Sequence, residues 1–215
     1  MSEGLFIALE GIDGSGTTTQ CERLTRALRT RGDAVHATRE PSSGPVGTLL
    51  RQALTKRFVV PGPAGPAAPG WGTMALLFAA DRLDHVEAEV APRLADGVHV
   101  VTDRYVHSSL AYQTLSGDGE PGTTLPWVRE INRHARAPDL TVVLDVSAEA
   151  ASERRAARGG TPELYEVDAL QRRLADFYAD IERHFPGQRL VHVDGEREAG
   201  DVAADVLAAV DALLT

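Results

Sequence analysis

Gly11-Ile12-Asp13-Gly14-Ser15-Gly16-Thr17-Thr18-Thr19 packs three glycines, a carboxylate and a run of hydroxyls into nine residues. Such glycine spacing lets a backbone curl until successive N–H groups face one anion, and the pattern G-x-x-x-x-G-K-[ST] does this around a polyphosphate. Gly11 and Gly16 stand at its glycine positions and Thr18 at the hydroxyl that binds Mg²⁺, but Thr17 replaces the lysine. Without that lysine the stretch also reads as a tight turn in which Thr17 caps the following helix. Lys56 is the chain's only lysine, so phosphate chemistry here must draw on arginines, backbone N–H groups and metal.

Two more polar clusters, Arg39-Glu40-Pro41 and Asp103-Arg104-Tyr105, each follow an apolar run, as the glycine-rich stretch does. The runs predict strands at Leu5–Leu9, Ala34–Thr38, Val98–Thr102, Leu140–Val146 and Leu190–Val193, with helical patterning between them. Thr18–Arg31 reads as the first intervening helix and Asp201–Leu214 as an amphipathic helix packed on the sheet. Strands and helices in alternation specify an α/β three-layer sandwich, a central parallel sheet of about five strands flanked by helices. Ligands in such folds gather at the carboxyl ends of the strands, where all three clusters fall. Pro61–Gly70, with four prolines and three glycines, reads as a mobile or extended surface loop.

The 215 residues, 43% of them apolar, suit a single domain over 1–215. A formal net charge of -9 argues against binding a nucleic acid polymer. The lone cysteine, Cys21, fits a reducing compartment, and the absence of a basic-then-apolar leader or an 18-residue apolar run points to a cytoplasmic protein away from membranes.

With the loop, Arg39-Glu40-Pro41, Phe78-Ala79-Ala80-Asp81-Arg82 and the eleven residues Asp103–Gln113 in this order, the sequence resembles bacterial thymidylate kinases over nearly its whole length. The resemblance implies a P-loop kinase fold, ATP and Mg²⁺ as donor and cofactor, thymidine monophosphate (dTMP) as acceptor, and a homodimer. It implies that Gly11–Thr19 holds ATP, that Thr18 and Asp103 serve the metal, and that Asp13 orients loop or metal. Phe78 is implied to stack on thymine and Arg82 to bond its O4 edge; their i, i+4 spacing puts both on one helical face. Read alone, Phe78 beside Leu76-Leu77 is a core aromatic and Arg82 a surface partner of Asp81 or Asp84. Arg104 is implied to grip the acceptor phosphate, and an ion pair between Asp103 and an arginine is the plainer reading. Ser108 falls within the acceptor-binding run, Ser109 and Gln113 match base contacts, and Tyr112 packs beside the sugar. His107 stands where relatives often carry aspartate and is expected to face solvent or support its neighbours. Arg39 is implied to line the space between the two phosphates, while read alone it is a surface residue after the second strand, and Arg51 is implied to add charge near the acceptor. Glu153–Gly160 resembles a short arginine-bearing lid, spanning about 153–164.

Thr17 cannot carry the lysine's charge, and Lys56, expected on the second helix, has no spacing that brings it in. Arg158 or Arg154 from the lid, with Arg39 and Mg²⁺, is expected to compensate. Two other readings stand beside this one: a kinase for another pyrimidine monophosphate, and a catalytically weak nucleotide-binding homologue.

Overall fold

A computed structural model describes residues 3–62, 65–117, 121–159 and 164–214. Residues 63–64 of the Pro/Gly-rich stretch and 160–163 of the expected lid lie outside the described residues, as do both chain ends. Five strands, β1 (Phe6–Glu10), β2 (Val35–Arg39), β3 (His99–Asp103), β4 (Leu140–Asp145) and β5 (Leu190–Asp194), form one sheet in the order β2-β3-β1-β4-β5. Every pairing is parallel. All five expected strands are present, the first three displaced by one residue toward the carboxyl end, β4 ending one residue earlier and β5 one residue later than expected.

Parity along β1 explains its continuous apolar run. Ile7 and Leu9 face a core shared with α1 (Thr17–Thr30) and α9 (Ala199–Leu214), through Leu24, Leu28, Val202 and Val206. Phe6 and Ala8 face the opposite core, with Tyr105 and Leu110 at α5 (Val106–Ser116) and Leu174 and Tyr178 on α8 (Asp168–Ala179). Both faces are covered, so neither parity can be polar. A smaller cluster, Leu50, Ala53, Leu54 and Met74, joins α2 (Pro45–Leu54) to α3 (Trp71–His85).

The helix of α3 runs on through a π-turn (Val86–Val90) into α4 (Ala91–Ala95). Next come α6 (Pro121–Ile131) after α5, α7 (Ala148–Arg158) after β4, and a 3-10 turn (Ile181–His184) before β5. No helix among the described residues is long and apolar enough to cross a membrane.

Two sequence expectations change. The Pro/Gly-rich stretch folds back on itself, Val60 and Ala67 exchanging backbone hydrogen bonds of 2.8 and 3.0 Å, and so is not a free loop. Lys56 lies beyond the end of α2, in a turn with φ +57°, and is exposed, because the helix has already stopped at Leu54.

Candidate active site

The β1–α1 loop takes its shape from its glycines. Gly14 (φ +93°) and Gly16 (φ +100°) sit in the left-handed region, which side chains resist. A Cβ on Gly14 would come within 2.5 Å of the Ala151 carbonyl, so glycine is what lets α7 press on the loop. Gly16, in contrast, faces open space. It is the N-cap of α1 and no side chain caps that end, so Thr17 is the first helical residue, buried at 6% exposure, and not the cap. The first-turn N–H groups are therefore available to an anion.

Asp13 is the most heavily held residue of the loop. Its Oδ1 accepts from Arg104 Nη2 at 2.6 Å and its Oδ2 from Gln171 Nε2 at 2.9 Å. Its N–H donates to Gln171 Oε1 at 3.1 Å, and its carbonyl accepts from Arg155 Nη1 at 2.5 Å. Arg104 in turn donates to the Gly11 carbonyl (2.7 Å) and Ser108 Oγ (3.1 Å), and its guanidinium lies 5.1 Å from the centre of the Tyr112 ring.

Glu10, one residue past Leu9, has the parity of Phe6 and Ala8 and points into the α5–α8 core. Its carboxylate, fully buried, accepts from the Tyr105 N–H (2.7 Å), Ser108 Oγ (2.6 Å) and Tyr178 OH (2.9 Å). Burial pushes its pKa up, against the pull of those donors and of Arg104. His107 approaches it at 3.7 Å, packs against Phe185 with the rings tilted by 41°, and is wholly buried, so the solvent-facing role expected for it does not hold. Burial pushes His107 down to about 3, leaving a neutral ring.

At the end of β3, Thr18 Oγ1 donates to Asp103 Oδ2, while Asp103 Oδ1 is buried with no partner. Asp103 thus meets a hydroxyl, not the arginine of the plainer reading. A carboxylate with an unspent oxygen beside a P-loop hydroxyl suits a hard, oxygen-seeking divalent cation that takes its remaining ligands from phosphates and water. Among the described residues no group of three or more His, Cys, Asp or Glu side chains is placed to hold a metal ion.

A cavity of about 370 Å³ opens between this loop and α3. Asp13, Thr18, Arg39, Arg51, Phe78, Arg82, Asp103, Arg104, Ser108, Ser109, Tyr112, Gln113 and Arg158 all line it. A larger, shallower hollow of about 800 Å³ lies over β5 and α9 and contains none of these groups.

Phe78 packs partly against the α2–α3 cluster, as the core reading expects, and also lines the cavity. Arg82 matches neither simple picture. It is 1% exposed and pairs with neither Asp81 nor Asp84; its Nη2 donates to Glu40 Oε2 (2.6 Å), Ser109 Oγ (2.9 Å) and the Tyr105 carbonyl (3.2 Å), and its Nη1 to Asn132 Oδ1. Asp81 is occupied with Ser42. Arg82 Nε is buried without a partner, as are both amide atoms of Gln113. Arg51 reaches the cavity while donating to the carbonyls of Pro41 and Ser42.

The lid arginines separate. Arg158 lines the cavity with its side chain 63% exposed, held by Glu166 at 2.6 Å. Arg154 lies outside the cavity, bridging the carbonyls of Ser15 (3.3 Å) and Gly195 (2.9 Å). Successive helical residues point about 100° apart, so Arg154 and Arg158 share a face only approximately, and Ser15 and Gly195 capture the former. Arg155, unselected from the sequence, is the one that grips Asp13. Glu10, Glu40, Asn132 and Gln171 were missed too. Only Glu10 carried a signal, a carboxylate on the inward parity of an apolar strand.

The family profile described as thymidylate kinase matches residues 9–206. A probable thymidylate kinase of Pyrobaculum calidifontis is 39% identical over 207 residues, covering 96% of each chain. One from Pyrococcus horikoshii is 36% identical over 207 residues, again 96% of each. A thymidylate kinase of the bacterium Deinococcus radiodurans is 38% identical over 214 residues, 98% of each. A match over nearly the full length of the chain, on a five-stranded parallel sheet with a glycine-rich loop beside a cavity, makes this protein an enzyme of the thymidylate kinase family.

Proposed function

We propose that this enzyme transfers the γ-phosphoryl group of ATP directly to dTMP, in line, with Thr17 in place of the loop lysine. The observation that carries the acceptor is the cavity wall: an arginine Nε–H and a glutamine amide, all buried and unpartnered, beside a half-exposed phenylalanine. Arginine can only donate, so the base edge facing it must accept, which favours the carbonyl of thymine or uracil over the amino group of cytosine. The Gln113 amide can donate and accept, matching an adjacent carbonyl and imide N–H, while Phe78 supplies a stacking face.

ATP lies along Gly11–Thr19, its phosphates against the loop N–H groups. An oxygen of the dTMP phosphate attacks the γ-phosphorus, and the bond from that phosphorus to the β,γ-bridging oxygen breaks as the new one forms. That acceptor oxygen is already anionic near neutral pH, so no general base is required. Thr18 and Asp103 would hold Mg²⁺, which neutralises phosphate charge when bound. Arg104 grips the acceptor phosphate and Arg39 lines the gap between donor and acceptor. Arg158, an exposed cation lining the cavity as Arg39 also is, supplies the charge that Thr17 lacks. Arg154 and Arg155 brace the loop from behind. The family resemblance supports a homodimer, and the lone buried Cys21 is in keeping with a cytoplasmic enzyme.

The test is ADP release from ATP and Mg²⁺ with dTMP, dUMP, UMP, dCMP or no acceptor. Release that depends on dTMP, with dCMP the poorest deoxynucleotide, is the expected result. Release faster with another acceptor than with dTMP overturns the substrate. If dTMP and ATP bind without ADP release, Thr17 has made the chain a nucleotide-binding homologue.

A further inference from the structure

Arg82 can offer a donor to the acceptor base only while its fork is held in one orientation. We propose that His85 holds it, acting through Glu40, and that this pair sets the pocket's preference for a base carbonyl over a base amino group. The inference rests on reading the cavity as a pyrimidine monophosphate site.

The Glu40 carboxylate, 3% exposed, is divided between two partners: Oε2 takes Arg82 Nη2 at 2.6 Å, and Oε1 faces His85 Nδ1 at 3.3 Å. His85 lies three residues after Arg82 on α3, and its side chain is fully buried. Its Nε2 stands 2.8 Å from Thr38 Oγ1 and 3.9 Å from Glu89 Oε2. A Thr38 hydroxyl donating to Nε2 leaves the ring proton on Nδ1, where it serves Glu40. Three polar side chains, from β2, the loop after it and the π-turn, therefore converge on one imidazole of α3, more than burial of a ring requires.

The consequence lies in what His85 prevents. A carboxylate facing a guanidinium favours the two-pronged fork, with both oxygens on paired N–H groups. With Oε1 occupied by His85, Glu40 can give Arg82 only Oε2, and Arg82 Nε stays uncommitted. Without His85, Oε1 is released, Glu40 can swing to the two-pronged fork, and the donor left for the base is spent. Glu89 extends the contact to the surface, pairing with His36 at 2.5 Å from within the π-turn, a widened helical turn often found at functional sites.

The test uses the full chain carrying His85→Ala, His85→Asn or Thr38→Val, each first checked for a cooperative thermal transition. In His85→Ala the KM for dTMP should rise roughly 10-fold while kcat and the KM for ATP stay within about 3-fold. The dTMP-over-dCMP preference should fall by a similar factor. His85→Asn, whose amide can still donate to Glu40, should recover most of both. A folded His85→Ala with wild-type dTMP KM and wild-type preference overturns the proposal. So does a loss confined to kcat and melting temperature, the mark of a merely structural residue. If His85→Ala does not fold, Thr38→Val decides: a rise in dTMP KM with kcat retained supports the proposal, and an unchanged KM overturns it. Wild-type turnover is measured beforehand, so a chain that ignores dTMP sinks the kinase reading itself, separately from the role of His85.

Discussion

On the proposed reading, the acceptor wall and the lid answer the same demand, placing positive charge and donors around phosphates and base, by opposite means. Arg82 is 1% exposed and bound by four acceptors before any ligand arrives, whereas Arg158 is 63% exposed on its side chain and tied to Glu166 across eight residues. Burial fixes the first arginine at the cost of desolvating it, which only dense partnering offsets. Exposure leaves the second free to exchange its carboxylate for a phosphate, since a surface pair of this kind is worth only ~0–1 kcal/mol. Selectivity needs a site set in advance, while charge that must leave with product is better lent by a movable arm. Thr17 sharpens the contrast, because on the proposed reading the charge usually resident in the loop comes from the arm.

The largest effect should therefore come from the arm. Arg158→Ala is expected to lower kcat about 10³-fold with ATP affinity nearly unchanged, in the range of an arginine that stabilises transferring phosphate. Adding Thr17→Lys to that variant should restore part of the loss. Single-turnover rates and ATP titrations decide it, and near-wild-type turnover of Arg158→Ala would show that the arm is dispensable. On the wall side, Phe78→Ala should raise the KM for dTMP roughly 10-fold through lost stacking, with little change for ATP. An equal change in both KM values would mean Phe78 is core alone.

Gln171→Leu probes the junction between the two regions. It strips Asp13 of a donor and an acceptor at once, and should cost about 2–3 kcal/mol of stability. Denaturant unfolding gives that number, and a loss below about 0.5 kcal/mol would mean water replaces the glutamine. The smallest effect lies outside both regions, at His192, whose hydrogen bond to Asp145 at 2.8 Å raises its pKa, with Glu182 adding to the shift. A raised pKa stabilises most below the unfolded value of about 6.5 and fades as pH rises through the folded value. Wild type should thus exceed His192→Gln by under about 1 kcal/mol near pH 5.5, the solvent-screened range, and by nothing near pH 9. A difference that grows with pH would reverse the assignment.

Gly11–Thr19, Asp103–Gln113 and the strand ends that carry them were legible because each is a local pattern: glycines where the backbone must turn, apolar runs where both sheet faces are covered. Spacing put Phe78 and Arg82 on one helical face, but only the family resemblance paired them at a base site. Their surroundings were not legible, since Glu40 meets Arg82 across 42 residues and Asn132 meets it across 50. Gln171 reaches Asp13 across 158 residues, and no local pattern marks an uncharged glutamine on an amphipathic helix as the clamp of a loop that distant. Among the lid arginines, sequence could nominate a cluster but not divide it: α7's angle against Gly14 turns Arg155 onto Asp13 and Arg154 onto Ser15, leaving Arg158 at the cavity.

Sequence by itself determined the order of strands and helices, the phosphate loop with its missing lysine, and which side chains stand near the carboxyl edge of the sheet. These depend on residue type and short-range period, which the chain carries along its length. Only the tertiary structure decided which donors are spent and which remain for a ligand. That depends on groups brought together from opposite ends of the chain, in a buried medium where every unpaired donor or acceptor is costly.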